Sequence, residues 1–186
     1  MYNFIRFNFI LSISIILLCC SDSKTEYESI QKIQDECTQS IQRTTDYDLM
    51  IKSCDDAISA LQGFISKYNE GEWSNVAKTA LSTWQAKKES IIQKFKSLTE
   101  MLIKKMNNRA VEEALNLHPG SGIEKIQFKE SKSQKEPDKV IIHAIYSVKM
   151  RGKIFGIHVF NFIVKVSGHI ATDSDNVFID NSSIEE

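Results

Sequence analysis

The chain has 186 residues, with 23 Lys and Arg against 24 Asp and Glu. A net charge of −1 without a recognition motif argues against a nucleic-acid partner, and the length suits one modest unit or two small ones. With 7 Gly and no clustered acid/base pair on a defined scaffold, an enzyme is not expected.

From Tyr2 to Cys20 the only charge is Arg6, and Phe7 to Leu18 is apolar except at Asn8, Ser12 and Ser14. A membrane span needs roughly 20 apolar residues, whereas the apolar core of an export signal needs about 7 to 15. Residues 1–19 therefore read as a removable signal. The flank Ser21 to Thr25 is small or polar and lacks the basic cluster of a stop-transfer sequence.

Leu17-Leu18-Cys19-Cys20 resembles the lipobox of bacterial lipoproteins, with Leu17 at its first position and the acceptor cysteine at its last. The resemblance implies cleavage before Cys20, because that family wants a small residue there and Cys19 is smaller than Leu18. It also implies that Cys20 carries diacylglyceryl and N-acyl groups, palmitate among them, with residues 20–24 as a tether. The body would then sit outside the cytoplasm on the bacterial cell envelope. Ser21 resembles outer-membrane sorting in some Gram-negative bacteria. An ordinary cleaved signal and an uncleaved anchor are the alternatives.

Past the signal, 22 basic and 24 acidic side chains are unevenly spread. Ser21 to Glu72 has 5 basic and 11 acidic, Gln85 to Gly168 has 16 basic and 8 acidic, and the tail from His169 has 5 acidic and none basic. The basic middle suits anionic headgroups or an acidic partner, or is simply a lysine-solvated surface.

Tyr27, Ile30, Ile33, Cys37 and Ile41 recur at spacings of three and four, which predicts a helix from about Thr25 to Gln42. Thr45 and Asp48 then form a capping-box pattern. A second helix follows with a stripe of Tyr47, Met50, Ile51, Cys54, Ile58, Leu61, Ile65 and Tyr68. Folded at Thr45, the two helices bring Cys37 and Cys54 to one height on facing stripes. They are either a disulfide, which an exported compartment permits, or two small core residues.

The stretch AISALQGFISKYNEGEWSNVAKTAL resembles the junction between tetratricopeptide-type units of envelope lipoproteins at Tyr68, Gly71, Trp73, Ala77 and Leu81, with Asn69 where that family has proline. The resemblance weakly implies a peptide-binding scaffold; no second copy recurs near 34 residues, where stacked repeats need about three. From Ser74 to about Leu117 the helical pattern continues, for roughly 65 Å at about 1.5 Å per residue. This predicts either one helix bridging two substructures or a break near Asn107-Asn108. Pro119-Gly120 ends it.

The period then becomes two. Strands are expected at Ile123 to Phe128, Val140 to Met150, Ile154 to Val166 and around Val177 to Ile179, with Glu130 to Lys139 as a charged loop. A tight turn at Arg151-Gly152, pairing Met150 with Lys153, sets Val140, Ile142, Ala144, Tyr146 and Val148 on one face with Phe155, Ile157, Val159 and Ile163. The other face then holds Ile141, His143 and Ile145 with Ile154, His158, Phe160 and Phe162, which is apolar enough to need the N-terminal hairpin or a partner over it. The expected fold class is α+β: a helical hairpin and long connecting helix over 25–117, an antiparallel β-meander of about four strands over 120–180 packed on that helix, and an acidic tail at 181–186.

For chemistry, His143 and His158 are the nearest approach to a metal site, but two imidazoles alone do not close one. No Gly-x-Ser-x-Gly elbow frames a serine, and Gly120-Ser121-Gly122 lacks the ending of a phosphate loop. Asp173-Ser174-Asp175 lacks the glycine and distal glutamate of a calcium loop. No metal or other cofactor is expected. The functional expectation is a non-catalytic interaction or scaffold module tethered to a membrane by acyl groups, with an envelope protein as partner. A small apolar-ligand or lipid carrier and a metal-dependent enzyme using His143 and His158 are the alternatives.

Overall fold

The computed structural model describes residues 2–136, 138–152 and 159–185, with side chains from residue 22 onward. Three helices come first: α1 (Tyr2–Arg43), α2 (Tyr47–Lys67) and α3 (Glu72–Leu117). Four strands follow: β1 (Gly122–Glu136), β2 (Lys139–Arg151), β3 (Val159–Ala171) and β4 (Asn176–Glu185). The sheet is antiparallel, in the order β1-β2-β3-β4. The chain is thus α+β, helices first and a β-meander after. It divides into two compact units, Met1–Ile92 and Gln93–Glu186, with the boundary inside α3. That helix runs unbroken through Asn107-Asn108.

The first unit is a helical core built from the predicted stripes. Tyr27, Ile30 and Cys37 of α1 meet Cys54, Ala57, Leu61 and Phe64 of α2 and Ala77 and Trp84 of α3. Ile33, expected on the α1 stripe, is exposed, as is Val76 on α3. The α2 cap lies one residue beyond the predicted Thr45: Asp46 Oδ1 accepts from the backbone N–H groups of Asp48 and Leu49. A carboxylate there satisfies two orphan donors and meets the positive end of the helix dipole. Gly71, at φ 103, makes the turn from α2 to α3 in a conformation that side chains rarely adopt. Across the surface, Trp84 Nε1 donates to Gln34 Oε1 at 3.0 Å, Tyr68 donates to Glu26 at 2.9 Å, and Lys67 pairs with the same carboxylate.

In the second unit, Leu98, Leu102, Met106, Ala110 and Ala114 form a buried row with a period of four along α3. The sheet's buried face is Ile142, Ala144, Tyr146, Val148 and Met150 of β2 with Phe162, Val164, Val166 and Ile170 of β3. Gly168 leaves no room for a side chain: a Cβ there would stand 2.8 Å from Leu102 Cδ1 of α3 and 2.5 Å from the Phe178 carbonyl oxygen of β4.

The register departs from the one predicted by the tight turn. Met150 pairs with Phe160, not Lys153, so even-numbered residues of β2 sit opposite even-numbered residues of β3. A slip of odd length swaps every side chain of a strand to the other face. Phe160 and Phe162 consequently lie on the helix-facing side, stacking on His118 at 4.2 and 5.1 Å, while Ile163 lies on the opposite one. Residues 153–158, including Ile154, Phe155, Ile157 and His158, lie outside the described residues.

Two further boundaries differ. Most of the expected charged loop is the continuation of β1, paired with β2 as far as Glu136 with Lys139. As the outermost strand, β1 alternates charge with polarity because few of its side chains face the core, and such charges deter edge-to-edge pairing. The expected acidic tail is strand as far as Glu185, paired with Ile163 of β3.

Candidate functional site

On α3 the positions between the buried row carry Lys105, Asn108, Arg109, Glu112 and Glu113. These line a wide groove of about 660 Å³, whose other wall is Ile179 to Ser182 of β4. Lys105 Nζ donates to the Val177 carbonyl at 2.9 Å. Arg109 pairs with Glu113 at 2.6 Å and with Glu112 at 3.5 Å, and its Nε donates to Ser182 Oγ at 3.1 Å. The Ser182 hydroxyl in turn donates to Glu113 Oε1 at 2.7 Å. Arg109, Glu113 and Ser182 thus satisfy one another and fix β4 against the helix. Ser182 is held at both its donor and acceptor positions.

The face of the sheet turned away from α3 carries His143, Ser147, Lys149, Asn161, Lys165 and His169 among Ile141, Ile145 and Ile163. With Phe160 and Phe162 on the other side, this face mixes those polar side chains and half-buried isoleucines with the exposed Val159 and Phe178. His143 is exposed beside a small recess of about 180 Å³ that it shares with Ile145, Lys165, Ser167 and Ser183. His169 Nδ1 is 2.7 Å from Asp180 Oδ1, and its ring stacks on Phe178 at 5.1 Å. Asp180 occupies the β4 bulge, where the pairing jumps from Ser167–Asn181 to Gly168–Ile179.

Cys20 falls within α1, and its side chain lies outside the described residues, as does His158. Cys37 and Cys54 are both free thiols in this structure, so the disulfide considered from the sequence is not formed in it. They are 7% and 0% exposed and share one core cluster. Burial pushes both thiols above their ordinary pKa. In the Asp173-Ser174-Asp175 stretch, Asp175 meets Lys94 Nζ at 2.6 Å.

Among the described residues, no three His, Cys, Asp or Glu side chains are grouped as metal ligands, and no helix is long and apolar enough to cross a membrane. Two features escaped the sequence. The Arg109–Glu113 pair was visible as an i,i+4 spacing, but its partner Ser182 was assigned to a tail. His169 and Asp180 lie 11 residues apart, and only the hairpin joins them. The chain matches no protein-family model, no curated protein and no solved structure.

Proposed function

We propose that this chain is a non-catalytic interaction module, tethered to a bacterial envelope membrane through acyl groups on Cys20. The observation that carries the reading is Leu17-Leu18-Cys19-Cys20, set between an apolar segment with a single charge and a charged body. Multiple acyl chains give stable anchoring where one is marginal.

The α3–β4 groove supports the interaction half of the reading. Strand β4 is at one end of the sheet order, so an extended segment can lie along it as an added strand. Lys105, Arg109, Glu112 and Asp180 give the groove both signs of charge, and a polar segment of an envelope protein would compete with the contacts they already make. A groove so lined is a poor host for an apolar ligand.

Intact mass spectrometry of the mature protein from detergent-solubilised membranes, beside Cys20→Ala, tests the tether. The expected mass is a chain beginning at Cys20 plus acyl groups, lost in the variant; an unmodified mass overturns it. A photo-crosslinking residue at Asn108 or Asn181 tests the groove in the same cells. A discrete adduct is expected from both positions and not from Gln62 on exposed α2; identical adducts from all three, or none, would remove the groove from the reading.

A further inference from the structure

We propose that Cys37 and Cys54 form a disulfide that joins α1 to α2 when the chain folds in an oxidising compartment. The two cysteines lie in one buried cluster, on helices connected by the short turn Thr44 to Asp46. Their neighbours fix how closely those helices approach. Ser53, one residue before Cys54, donates its hydroxyl to Ser40, three residues after Cys37, at 3.0 Å. Two side chains that short can touch only where the backbones are close. Cys37 and Cys54 share that crossing with the buried Ala57 of α2.

The crossing is thus built from Cys37, Ser40, Ser53, Cys54 and Ala57, all small. Helix axes ordinarily lie about 8 to 10 Å apart, and small contact residues favour the lower end. A disulfide needs Cα atoms about 4.4 to 6.8 Å apart, within reach of facing positions at such a crossing.

Burial decides when the bond forms. The thiolate is the attacking species, and the packed core disfavours it at both positions. Exchange therefore belongs to the stage before the helices dock. One thiolate attacks the disulfide of a thiol–disulfide oxidant, giving a mixed disulfide and one released thiol. The second cysteine then displaces the oxidant's other sulfur. One S–S bond is made and one broken; the protein loses two electrons and two protons, and the oxidant leaves as a dithiol. Docking then shields the bond from reductant. The compartment rests on the proposed export; the geometry does not.

The test is refolding of the full chain with Cys19→Ser and Cys20→Ser, in detergent and a glutathione buffer with the oxidised form in excess. The expected product is lighter than the reduced chain by two hydrogen atoms and yields one linked peptide containing Cys37 and Cys54. Its melting temperature should fall by about 10 °C or more on adding reductant, given the short loop closed. A version also carrying Cys37→Ser and Cys54→Ser should show no such dependence on reductant. A folded product in which both thiols alkylate after denaturation overturns the proposal. The same mapping on protein recovered from native membranes examines the compartment separately: a refolded bond with native thiols would contradict export while leaving the geometry intact.

Discussion

Gly168→Ala introduces one methyl group between the β4 backbone and a core leucine of α3. The new Cβ would lie 2.5 Å from the Phe178 carbonyl oxygen and 2.8 Å from Leu102 Cδ1. A carbon–oxygen contact ordinarily begins at about 3.3 Å, so the carbonyl must retreat by roughly 0.8 Å. Leu102 can yield by changing rotamer, although it is fully buried. Phe178 cannot yield in the same way, because the oxygen belongs to the backbone of β4 beside the Asp180 bulge. Overpacking of this kind costs typically 1–3 kcal/mol, and a backbone clash belongs at the upper end. Against it, replacing glycine narrows the unfolded ensemble and returns about 0.4–1 kcal/mol.

The net expectation is a loss of about 2 kcal/mol, or roughly 8–16 °C in melting temperature for a unit of this size. Both tryptophans, Trp73 and Trp84, belong to the first unit. The loss is therefore best followed by circular dichroism in the strand band and localised by hydrogen exchange in β3 and β4 peptides. Gly63→Ala serves as the control of opposite sign: it lies on an exposed stretch of α2 with nothing within 4 Å of the added carbon. There the better helix former should stabilise by about 0.5–1 kcal/mol. A Gly168→Ala protein that melts with the parent, or with unchanged exchange in β3 and β4, would refute the close-approach argument.

Ser74 on α3 is 1% exposed and its hydroxyl has no hydrogen-bond partner among the described residues. Ser74→Ala removes a desolvated polar group and improves helix propensity, so the urea midpoint should rise by the equivalent of about 1 kcal/mol; a fall would show that the hydroxyl is satisfied in solution. Glu26 is held below its usual pKa of 4.5 by the Lys67 hydrogen bond first and that of Tyr68 second. A depressed carboxylate contributes stability above the unfolded value and loses it as pH falls through the folded one. Glu26→Gln should therefore lower the urea midpoint at neutral pH and flatten its decline below about pH 4.5; parallel curves for the two proteins would sink the assignment.

The elements that were legible in the sequence are those whose period is set by one dominant buried face. Tyr27, Ile30 and Cys37 on α1, and Leu98, Leu102, Met106, Ala110 and Ala114 on α3, recur at helical spacing because water is excluded from one side only. The exposed Ile33 shows the limit of that logic: it fits the stripe by number, yet the core ends beside it. Strand β1 was cut short for the complementary reason. An outer strand buries little, so Lys129 to Lys135 carries no apolar alternation to mark it.

The β2–β3 register was harder, because both parities of β3 are rich in apolar residues. Phe160, Phe162, Val164 and Val166 compete with Val159 and Ile163, and a sequence pattern cannot choose between them without the connection that precedes the strand. The observed choice places both phenylalanines against His118 and leaves Asn161, Lys165, Ser167 and His169 facing outward. It also changes the functional argument. A face that carried both phenylalanines would have been a partner surface by hydrophobicity, whereas the observed one interleaves Val159, Ile163 and Phe178 with those polar residues. Recognition is therefore better sought along β4, where Lys105 already supplies a donor to a β4 carbonyl and Arg109 anchors Ser182. A segment added along that strand would have to displace the Lys105 contact to the Val177 carbonyl, and an acidic segment that then paired with Lys105 would bind less tightly as salt rises.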